Sequence, residues 1–206
     1  MSPFVRKAAA LANEKGIAFE LKPVAIGDAD PAFRAASPFG KMPALDDDGF
    51  ALADSSAICH YLEAKYPAPA LIPADPQLRG RTIWFDEFAD TMLFAAIAPM
   101  FFNRVVAPRF LKREGDAAAA DRAEREALPP VLDYLERAIP EQGFLVGDGV
   151  TLADLAVASP FANLEYCGVT LDGVRYPRVA RFTSEILGRP SFAGMIARER
   201  AFFART

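Results

Sequence analysis

The first residues of the chain combine a hydroxyl side chain with the predicted start of a helix. Ser2 precedes Pro3, which suits the first turn of a helix because its missing N–H needs no partner there. The segment 5–15 continues as a helix until Gly16, which favours a left-handed C-cap. Ser2 is therefore a predicted N-cap. Its hydroxyl lies beside free amides at the positive end of the helix dipole and can stabilise an anion.

Residues 41–55 contain two further candidate positions. Asp54 and Ser55 open a predicted helix over 55–66, where they cap free amides or bind a charged ligand, and the pattern leaves both roles open. Met42-Pro43 lies in a strand pattern, where Pro removes a ladder donor and is typical of an edge or a bulge. Lys41 precedes it and is, by residue type, a solvated charge.

Metal and cysteine chemistry is not indicated by the residue spacing. His60, the only histidine, lies in mid-helix without Cys or carboxylates at ligand spacing, so we expect no metal site. The only cysteines, Cys59 and Cys167, cannot form a disulfide framework. This usage favours a reducing compartment, and the cytoplasm is the expected location.

The composition predicts a folded protein whose partners are small molecules or proteins. Of 206 residues, 52% are apolar and 24% are charged, as in globular proteins. The 23 Lys and Arg against 27 Asp and Glu give a net charge of -4, which argues against nucleic acid or anionic membrane as a partner. No uncharged apolar run reaches the roughly 18 residues that span a bilayer, and the start does not have the pattern of a signal peptide.

Two regions with different periodicity follow each other along the chain. Residues 1–73 alternate helix and strand patterns and end in a Pro-rich stretch, 66–73, that is typical of a linker. Besides the helices above, this region predicts a short strand at 19–24, a helical turn at 33–36, and a hairpin of 42–45 and 50–53 around Asp46-Asp-Asp-Gly49.

Residues 74–206 show only helical periodicity, so we expect two domains, 1–73 and 74–206. The predicted helices cover 77–102, 116–139, 151–167, 177–187 and 190–203. Thr151 and Asp154 have the spacing of a capping box, and Val150 and Leu155 that of a hydrophobic staple. These four residues are expected to fix one helix start and to serve folding.

Several motifs together resemble those of the cytosolic glutathione transferases. They are Ser2-Pro-Phe-Val-Arg-Lys, Gly40-Lys-Met-Pro43-Ala-Leu45, Asp54-Ser55, Phe144-Leu-Val-Gly-Asp-Gly-Val-Thr-Leu-Ala-Asp154 and Arg189-Pro190-Ser-Phe192, in the order and spacing of that family. The resemblance implies a thioredoxin-like α/β N-terminal domain with a mixed sheet, an all-α C-terminal domain, and a homodimer. It also implies glutathione as co-substrate.

The resemblance differs from the family pattern at the start of the chain. The family fold places a strand before the first helix, whereas only Met1 precedes Ser2 here. That strand is central in the fold and pairs with the segments at 19–24 and 42–45, so its loss leaves backbone groups unpaired. We therefore expect about 8 to 10 upstream residues, enough for one strand, in the natural product.

The resemblance assigns a role to each candidate residue. Ser2 donates to the thiolate of glutathione. Met42 precedes a cis Pro43 and pairs through its backbone with the cysteinyl part of the tripeptide. Ser55 binds the γ-glutamyl carboxylate, Asp54 pairs with the ammonium group, and Lys41 is a candidate for the glycyl carboxylate.

The second substrate is expected in a cleft between the two regions, with Phe4, Phe101 and Phe161 as candidate apolar walls and Arg104 as a further pocket residue. Aromatic residues on helices belong more often to the core, so that alternative stays open for each of them. Arg6 is expected to form an ion pair at the surface or between domains. Trp84 is expected in the core or in a dimer interface.

The leading functional hypothesis is a serine-type transferase that conjugates glutathione to an apolar electrophile. One alternative is a glutathione-dependent isomerase or dehalogenase of the same fold. A thiol-disulfide reductase is disfavoured, because Ser2 stands where such enzymes place Cys. A third alternative is a non-catalytic scaffold that binds glutathione or protein, since fold does not determine function.

Overall fold

The computed structural model describes residues 1–204 of the chain. The first region contains α1 (Pro3–Glu14), α2 (Pro31–Ala36), β1 (Ala44–Asp47), β2 (Phe50–Ala53) and α3 (Ser55–Lys65). The second contains α4 (Pro76–Phe88), α5 (Phe94–Phe101), α6 (Ala117–Arg122), α7 (Leu128–Ala138), α8 (Leu152–Ala158), α9 (Phe161–Tyr166), α10 (Pro177–Leu187) and α11 (Pro190–Ala204), with π-helical turns π1 (Ala89–Leu93), π2 (Phe102–Phe110) and π3 (Ala123–Ala127). Helices and a small sheet are thus followed by helices alone, as predicted.

Helix α1 begins and ends where its residues predict. Ser2 is the N-cap and Pro3 the first helical residue, while Lys15 is the C-cap and Gly16 adopts a φ of 67°. Its alanine-rich face is buried against α3, α8 and α11. Burial of this face places the start of α1, and Ser2 with it, between the two regions of the chain.

The sheet of the described residues is a two-stranded antiparallel hairpin. Ala44 pairs with Ala53 and Asp47 with Phe50. Asp48 and Gly49 have φ angles of 52° and 89°, the positive values that a tight two-residue hairpin turn requires. The predicted hairpin is confirmed, although its first strand begins at Ala44 and leaves Met42 and Pro43 before it.

The predicted strand at 19–24 is wrong for the described chain. Residues 18–25 have no regular secondary structure, and Phe19 and Leu21 are 41% and 43% exposed. A strand is stabilised by hydrogen bonds to a neighbouring strand, and none of the described residues forms one beside this segment. The segment therefore has the alternating pattern of a strand, but the described residues contain no neighbouring strand that pairs with it.

The longest helical segment runs continuously from Pro76 to Phe110 through α4, π1, α5 and π2. It is long enough to span a membrane and contains an 18-residue window with a mean hydropathy of 1.3, a combination that the core helices of soluble proteins also show. Leu93, Ile97 and Met100 are fully buried in the helical region. The expectation that membranes are not a partner stays a prediction.

The other predicted helices are confirmed, with one interruption. The segment 151–167 contains two helices, α8 and α9, separated at Ser159 and Pro160. The capping box forms at the start of α8, where Asp154 Oδ2 accepts hydrogen bonds from the Thr151 N–H at 2.8 Å and the Thr151 hydroxyl at 3.0 Å. Asp154 Oδ1 also accepts the Leu145 N–H at 2.8 Å, so one carboxylate joins the preceding loop to the helix.

The stretch predicted as a linker is anchored at both ends. Lys15 Nζ donates to the carbonyl oxygens of Tyr66 and Pro69 at 2.8 and 2.7 Å. Leu71 and Ile72 are 2% and 3% exposed, and the Leu71 carbonyl accepts the N–H of Leu152 at 2.8 Å. Residues 66–70 are thus exposed and held by Lys15, and only Leu71 and Ile72 pack in the core between the two regions.

Candidate active site

Ser2 lies at the N-terminus of α1 with its hydroxyl only weakly engaged. Ser2 Oγ accepts the Val5 N–H at 3.4 Å, which is long for a hydrogen bond, and it donates to no residue of the described chain. The first turn of α1 carries no acidic side chain. The hydroxyl proton is thus available to an anion at the positive end of the helix dipole.

Lys41, Met42 and Pro43 form the approach to β1. The Met42–Pro43 peptide is cis, as the resemblance implies. The Lys41 carbonyl accepts the Ser37 hydroxyl at 2.7 Å, which anchors the segment to the end of α2, while the Lys41 side chain is exposed. Met42 precedes the paired residues of the hairpin, so the ladder leaves its backbone free to pair with an added extended peptide.

Asp54 and Ser55 share the start of α3 but differ in environment. Asp54 is exposed, has a φ of 80°, and accepts the N–H groups of Ser56 and Ala57 at 2.9 and 3.0 Å. Its predicted capping role is therefore observed. Ser55 is 3% exposed, and its hydroxyl donates to Asp90 Oδ2 at 3.3 Å. Ser55 thus contacts the helical region, which the sequence pattern did not predict.

A buried lysine joins these two helix starts. Lys7 of α1 donates from Nζ to Ser56 Oγ at 3.1 Å, to Asp86 Oδ1 at 2.6 Å and to Asp90 Oδ2 at 2.6 Å. Burial alone lowers the pKa of Lys7, but Asp86 and Asp90 outweigh it and hold the pKa above its usual value. The contact sets the start of α3 against the second turn of α1, near Ser2.

Sequence reasoning missed this cluster of Lys7, Asp86 and Asp90. A signal was present, because Asp86 and Asp90 lie one turn apart in a stretch, 82–103, that contains no Lys or Arg, and two such carboxylates require a cation or solvent. The pattern did not show that the cation comes from α1. That pairing exists only once the two regions of the chain pack together.

The four candidate residues for the second substrate are not equally accessible. Phe4 is partly exposed and makes an edge contact with Phe94, at 4.7 Å between ring centroids, and Phe101 is also partly buried. Phe161 is 7% exposed and belongs to the core. The guanidinium of Arg104 pairs with Asp121 and Glu124 in the helical region. Phe4 therefore lies at the start of α1 near Ser2, whereas the Arg104 guanidinium is occupied by ion pairs within the helical region.

Arg6 is an ion-pair partner between the two regions, as predicted. It is 1% exposed, and its Nη1 donates to Glu199 Oε2 at 2.7 Å. Its Nη2 donates to the carbonyl of Ser159 at 2.9 Å and to Asn163 Oδ1. Arg6 therefore fixes the turn of α1 next to Ser2 against the helical region.

The cysteines and the histidine lie outside this arrangement. Cys59 is fully buried, and burial raises the pKa of its thiol. Burial likewise raises the pKa of Cys167 to about 12. Both thiols are thus held protonated and unreactive at neutral pH. Among residues 1–204, no cluster of three or more His, Cys, Asp or Glu side chains has the geometry to hold a metal ion, and His60 belongs to none.

Comparison with known proteins places these residues in a family. The family model described as "Glutathione S-transferase, N-terminal domain" matches residues 1–70, and "Glutathione S-transferase, C-terminal domain" matches residues 88–190. Glutathione S-transferase 3 from Zea mays is 35% identical in an alignment that covers 96% of this chain and 90% of that protein. The chain belongs to the glutathione S-transferase family.

Other members share its architecture and differ in activity. The structure of glutathione S-transferase-I bound with the ligand lactoylglutathione has a TM-score of 0.82 at 28% identity, covering 96% of this chain and 95% of that one. Maleylacetoacetate isomerase from Pseudomonas aeruginosa is 32% identical over 164 residues, 79% of this chain and 74% of that enzyme. The predicted glutathione transferase fold, a thioredoxin-like N-terminal domain followed by an all-α domain, is thereby confirmed.

Proposed function

We propose that this protein is a serine-type glutathione transferase that adds the thiolate of glutathione to an apolar electrophile. The observation that carries this proposal is the state of Ser2, whose hydroxyl caps α1 weakly and keeps its proton for another acceptor. A thiolate at this position accepts that proton and lies at the positive end of the helix dipole. The nucleophile is then the sulfur of the substrate, and the protein supplies its stabilisation.

The gain from ionisation alone is small. Lowering a thiol pKa from about 8.5 to about 6.5 raises the thiolate fraction at pH 7 from roughly 3% to roughly 75%. A thiolate of lower pKa is also less nucleophilic. At a Brønsted slope near 0.45, a pKa lower by two units reduces its reactivity about 8-fold, so the net gain in rate is about 3-fold. Most of the rate must therefore come from holding the sulfur against the electrophile, so the groups that bind the peptide matter as much as Ser2.

Five residues are proposed to bind the tripeptide. The Met42 backbone, before Pro43, pairs with the cysteinyl part as a short added strand. The start of α3 binds the γ-glutamyl group, with the backbone N–H of Ser55 at its carboxylate and Asp54 at its ammonium, while the Ser55 hydroxyl donates to Asp90. Lys41 is exposed at the edge of the same segment and is proposed for the glycyl carboxylate.

The second substrate is proposed to lie beside Phe4, whose ring is next to Ser2 along the chain and packs on Phe94 of the helical region. Phe101 adds an apolar wall. Phe161 is buried and Arg104 is ion-paired, so these two candidates are not proposed to contact the second substrate. The electrophile is thus expected to be apolar and aromatic.

Glutathione-dependent isomerisation is the second candidate. The similarity to maleylacetoacetate isomerase favours it, and it uses the same thiolate on a different partner. Thiol-disulfide exchange is disfavoured, because Cys59 and Cys167 are buried with raised pKa values. A scaffold without activity stays the third candidate and is separated from the others by the experiment below.

The setting of this activity is also proposed. A boundary between residues 73 and 74 separates a glutathione-binding domain from a helical domain, and the protein is a homodimer in the cytoplasm. Trp84 is 46% exposed, so the core alternative is wrong, and the dimer interface is proposed for it. Its ring is large and apolar, as residues at interface centres commonly are.

Two measurements test the proposed function. Isothermal titration with glutathione tests binding, and conjugation of a chloronitroaromatic electrophile tests turnover. Ser2→Ala is expected to keep glutathione binding within about threefold and to lower turnover at pH 7 by about threefold or more, because it removes the donor that stabilises the thiolate. The control is Ser184→Ala, an exposed serine of α10 that should change neither quantity.

Each result has one interpretation. Absence of heat with glutathione contradicts the transferase and the isomerase alike and leaves the scaffold. Binding without conjugation, but with isomerisation of a cis-configured diacid substrate, favours the second candidate. Unchanged turnover in Ser2→Ala would show that the assigned role of Ser2 is wrong.

A further inference from the structure

The guanidinium group of Arg34, from α2, occupies the space beside Gly40 where any other residue would carry its side chain. A β-carbon at position 40 would lie 2.5 Å from Nη1 of Arg34, 3.0 Å from Cζ and 3.3 Å from Nη2. Gly40 also has a φ of 64°, so its backbone conformation and this close approach both favour glycine. Arg34 therefore lies against the backbone that leads directly into Lys41 and Met42.

One hydrogen bond orients this guanidinium and leaves its outer nitrogens for a ligand. Arg34 Nε donates to the Asp28 carbonyl at 2.8 Å, which fixes the plane of the group. Within residues 1–204, Nη1 and Nη2 donate to no acceptor, and the exposed side chain forms no ion pair. Parallel N–H groups of such a planar fork bind both oxygens of a carboxylate.

The carboxylates closest to Arg34 in sequence are engaged by backbone groups. Asp28 accepts two N–H groups of its own loop, at 3.1 and 2.9 Å, and Asp30 accepts one from the first turn of α2 at 2.8 Å. Lys41, which follows Gly40, adds a second exposed cation. An anion beside Gly40 thus meets two positive charges.

The direction of the bound peptide brings its C-terminal end to this point. In the proposed binding mode, the γ-glutamyl group lies at the start of α3 and the cysteinyl part pairs with Met42. The pairing of Ala44 with Ala53 sets the start of α3 close to the segment that follows Met42. An extended peptide therefore carries its glycyl end the other way, toward Gly40 and Lys41.

We propose that Arg34 binds the glycyl carboxylate of glutathione through its guanidinium fork, with Lys41 as a second and weaker cation. The contact selects thiol peptides that carry a free carboxylate at this end. The inference rests on the proposed function, because it concerns the same site. Gly40 belongs to the arrangement, since its missing side chain leaves room for the guanidinium.

Two ligands that differ only at the glycyl carboxylate test this proposal. Glutathione carries the charge, and glutathione glycyl monoethyl ester does not. In isothermal titration, the wild-type protein is expected to bind glutathione about tenfold more tightly than the ester, because the ester cannot form the charge-assisted contact. Arg34→Met is expected to raise the Kd for glutathione about fivefold and to leave the Kd for the ester within about twofold.

Two further variants identify the cause of such a loss. Arg34→Lys keeps the charge without the fork, so its affinity for glutathione is expected between those of the wild type and Arg34→Met. Arg125→Met removes an exposed arginine of π3 in the helical region and should leave both Kd values within about twofold. Turnover at saturating glutathione should also stay within about twofold in Arg34→Met, because the sulfur keeps its own contacts.

A pair of glycine variants tests the same contact from the backbone side. Gly40→Ala places a β-carbon where the guanidinium lies, whereas Gly27→Ala adds one at a φ of 78° with nothing within 4 Å. Both variants carry backbone strain of the same kind. Only Gly40→Ala is expected to reduce the preference for glutathione over the ester, to about threefold or less. Circular dichroism shows whether each variant is folded.

The outcomes separate this inference from the proposed function. Failure of the wild-type protein to bind glutathione overturns both. Equal wild-type affinity for glutathione and the ester, or an unchanged preference in Arg34→Met, overturns this inference alone. An equal loss of affinity for both ligands in Arg34→Met would show that Arg34 only holds the loop, and it contradicts the inference as well.

Discussion

Ser2 combines two tasks that a hydroxyl can perform together. Its oxygen accepts the Val5 N–H and caps α1, and its proton remains for an anionic sulfur. Alanine at this position loses both tasks, so an effect on stability accompanies the effect on turnover. A replacement that keeps a reactive atom at the same place separates them more clearly.

Ser2→Cys is expected to change the chemistry of the site. A thiol beside free helix amides has a lowered pKa, so its thiolate attacks one sulfur of glutathione disulfide, forms a mixed disulfide and releases the other half as glutathione thiolate. Conjugation is expected to be lost. Intact-mass spectrometry after timed exposure to glutathione disulfide measures the reaction.

Ser184→Cys serves as the control, because it places an exposed thiol on α10 away from a helix start. The thiol at position 2 is expected to react at least about threefold faster at pH 7. Equal rates would contradict an anion-stabilising environment at Ser2. Cys59 and Cys167 are buried and should stay unmodified.

Single residues were predictable where a local motif carries the role. Ser2, Asp54 and the cis Met42–Pro43 peptide follow from neighbours in sequence, through capping and the family motif. The contact between Lys7 and Asp90 could not be predicted in this way, because a charged residue on a helix is normally solvated. Their burial arises from tertiary packing, which no local pattern contains.

At the scale of elements, the start of α8 is the most strongly specified feature. Asp154 is fully buried and accepts from the N–H groups of Leu145 and Thr151 and from the Thr151 hydroxyl. Asp154→Ala leaves these donors unpaired, so the free energy of unfolding is expected to fall by about 3 kcal/mol or more. Urea denaturation measures the change.

Asp148→Ala is the control for this prediction, since Asp148 is exposed in the same loop. Its effect should stay within about 0.5 kcal/mol. Comparable losses from Asp148→Ala and Asp154→Ala would show that the loop, and not the capping box, determines stability here.

Elements with their own start and stop residues were predictable, and those that need a distant partner were not. The hairpin follows from Asp48 and Gly49 at its turn, and α8 from Thr151 and Asp154. The segment 19–24 has an equally regular alternation, yet it forms no strand in the described chain. Alternation shows which side chains prefer burial, but a ladder requires a second strand.

At the scale of the whole molecule, side chains of α1 join the two regions at both of its ends. Near its start, Arg6 pairs with Glu199. Near its end, Arg189 donates from Nε to Glu14 Oε1 at 2.7 Å, and the Ser191 hydroxyl donates to the same oxygen at 2.6 Å. The Arg189-Pro190-Ser motif noted in the sequence thus packs α11 against α1.

The contact at Glu14 predicts a dependence of stability on pH. Hydrogen bonds from Arg189 and Ser191 outweigh burial and hold the pKa of Glu14 below its usual value of 4.5. The carboxylate therefore contributes stability above pH 4.5, and this contribution is lost as the pH falls through the lowered pKa. Glu14→Gln is expected to lower the free energy of unfolding by about 2 kcal/mol at pH 7.

Urea denaturation of both proteins at a series of pH values down to about 3.5 tests this sign, because the difference between them should narrow only below pH 4.5. Glu141→Gln is the control, since Glu141 is 83% exposed in its pair with Arg178 and should matter by less than about 0.5 kcal/mol. A difference for Glu14→Gln that is constant with pH would contradict the assigned cause.

The hydrogen bond from the Leu152 N–H to the Leu71 carbonyl has a consequence for synthesis on the ribosome. Nascent proteins commonly complete their N-terminal domain first. Here Leu71 and Ile72 stay uncovered, and Arg6 and Lys7 stay without counter-ions, until residues from the later region emerge. The N-terminal half of this molecule therefore completes its packing only after most of the polypeptide has been translated.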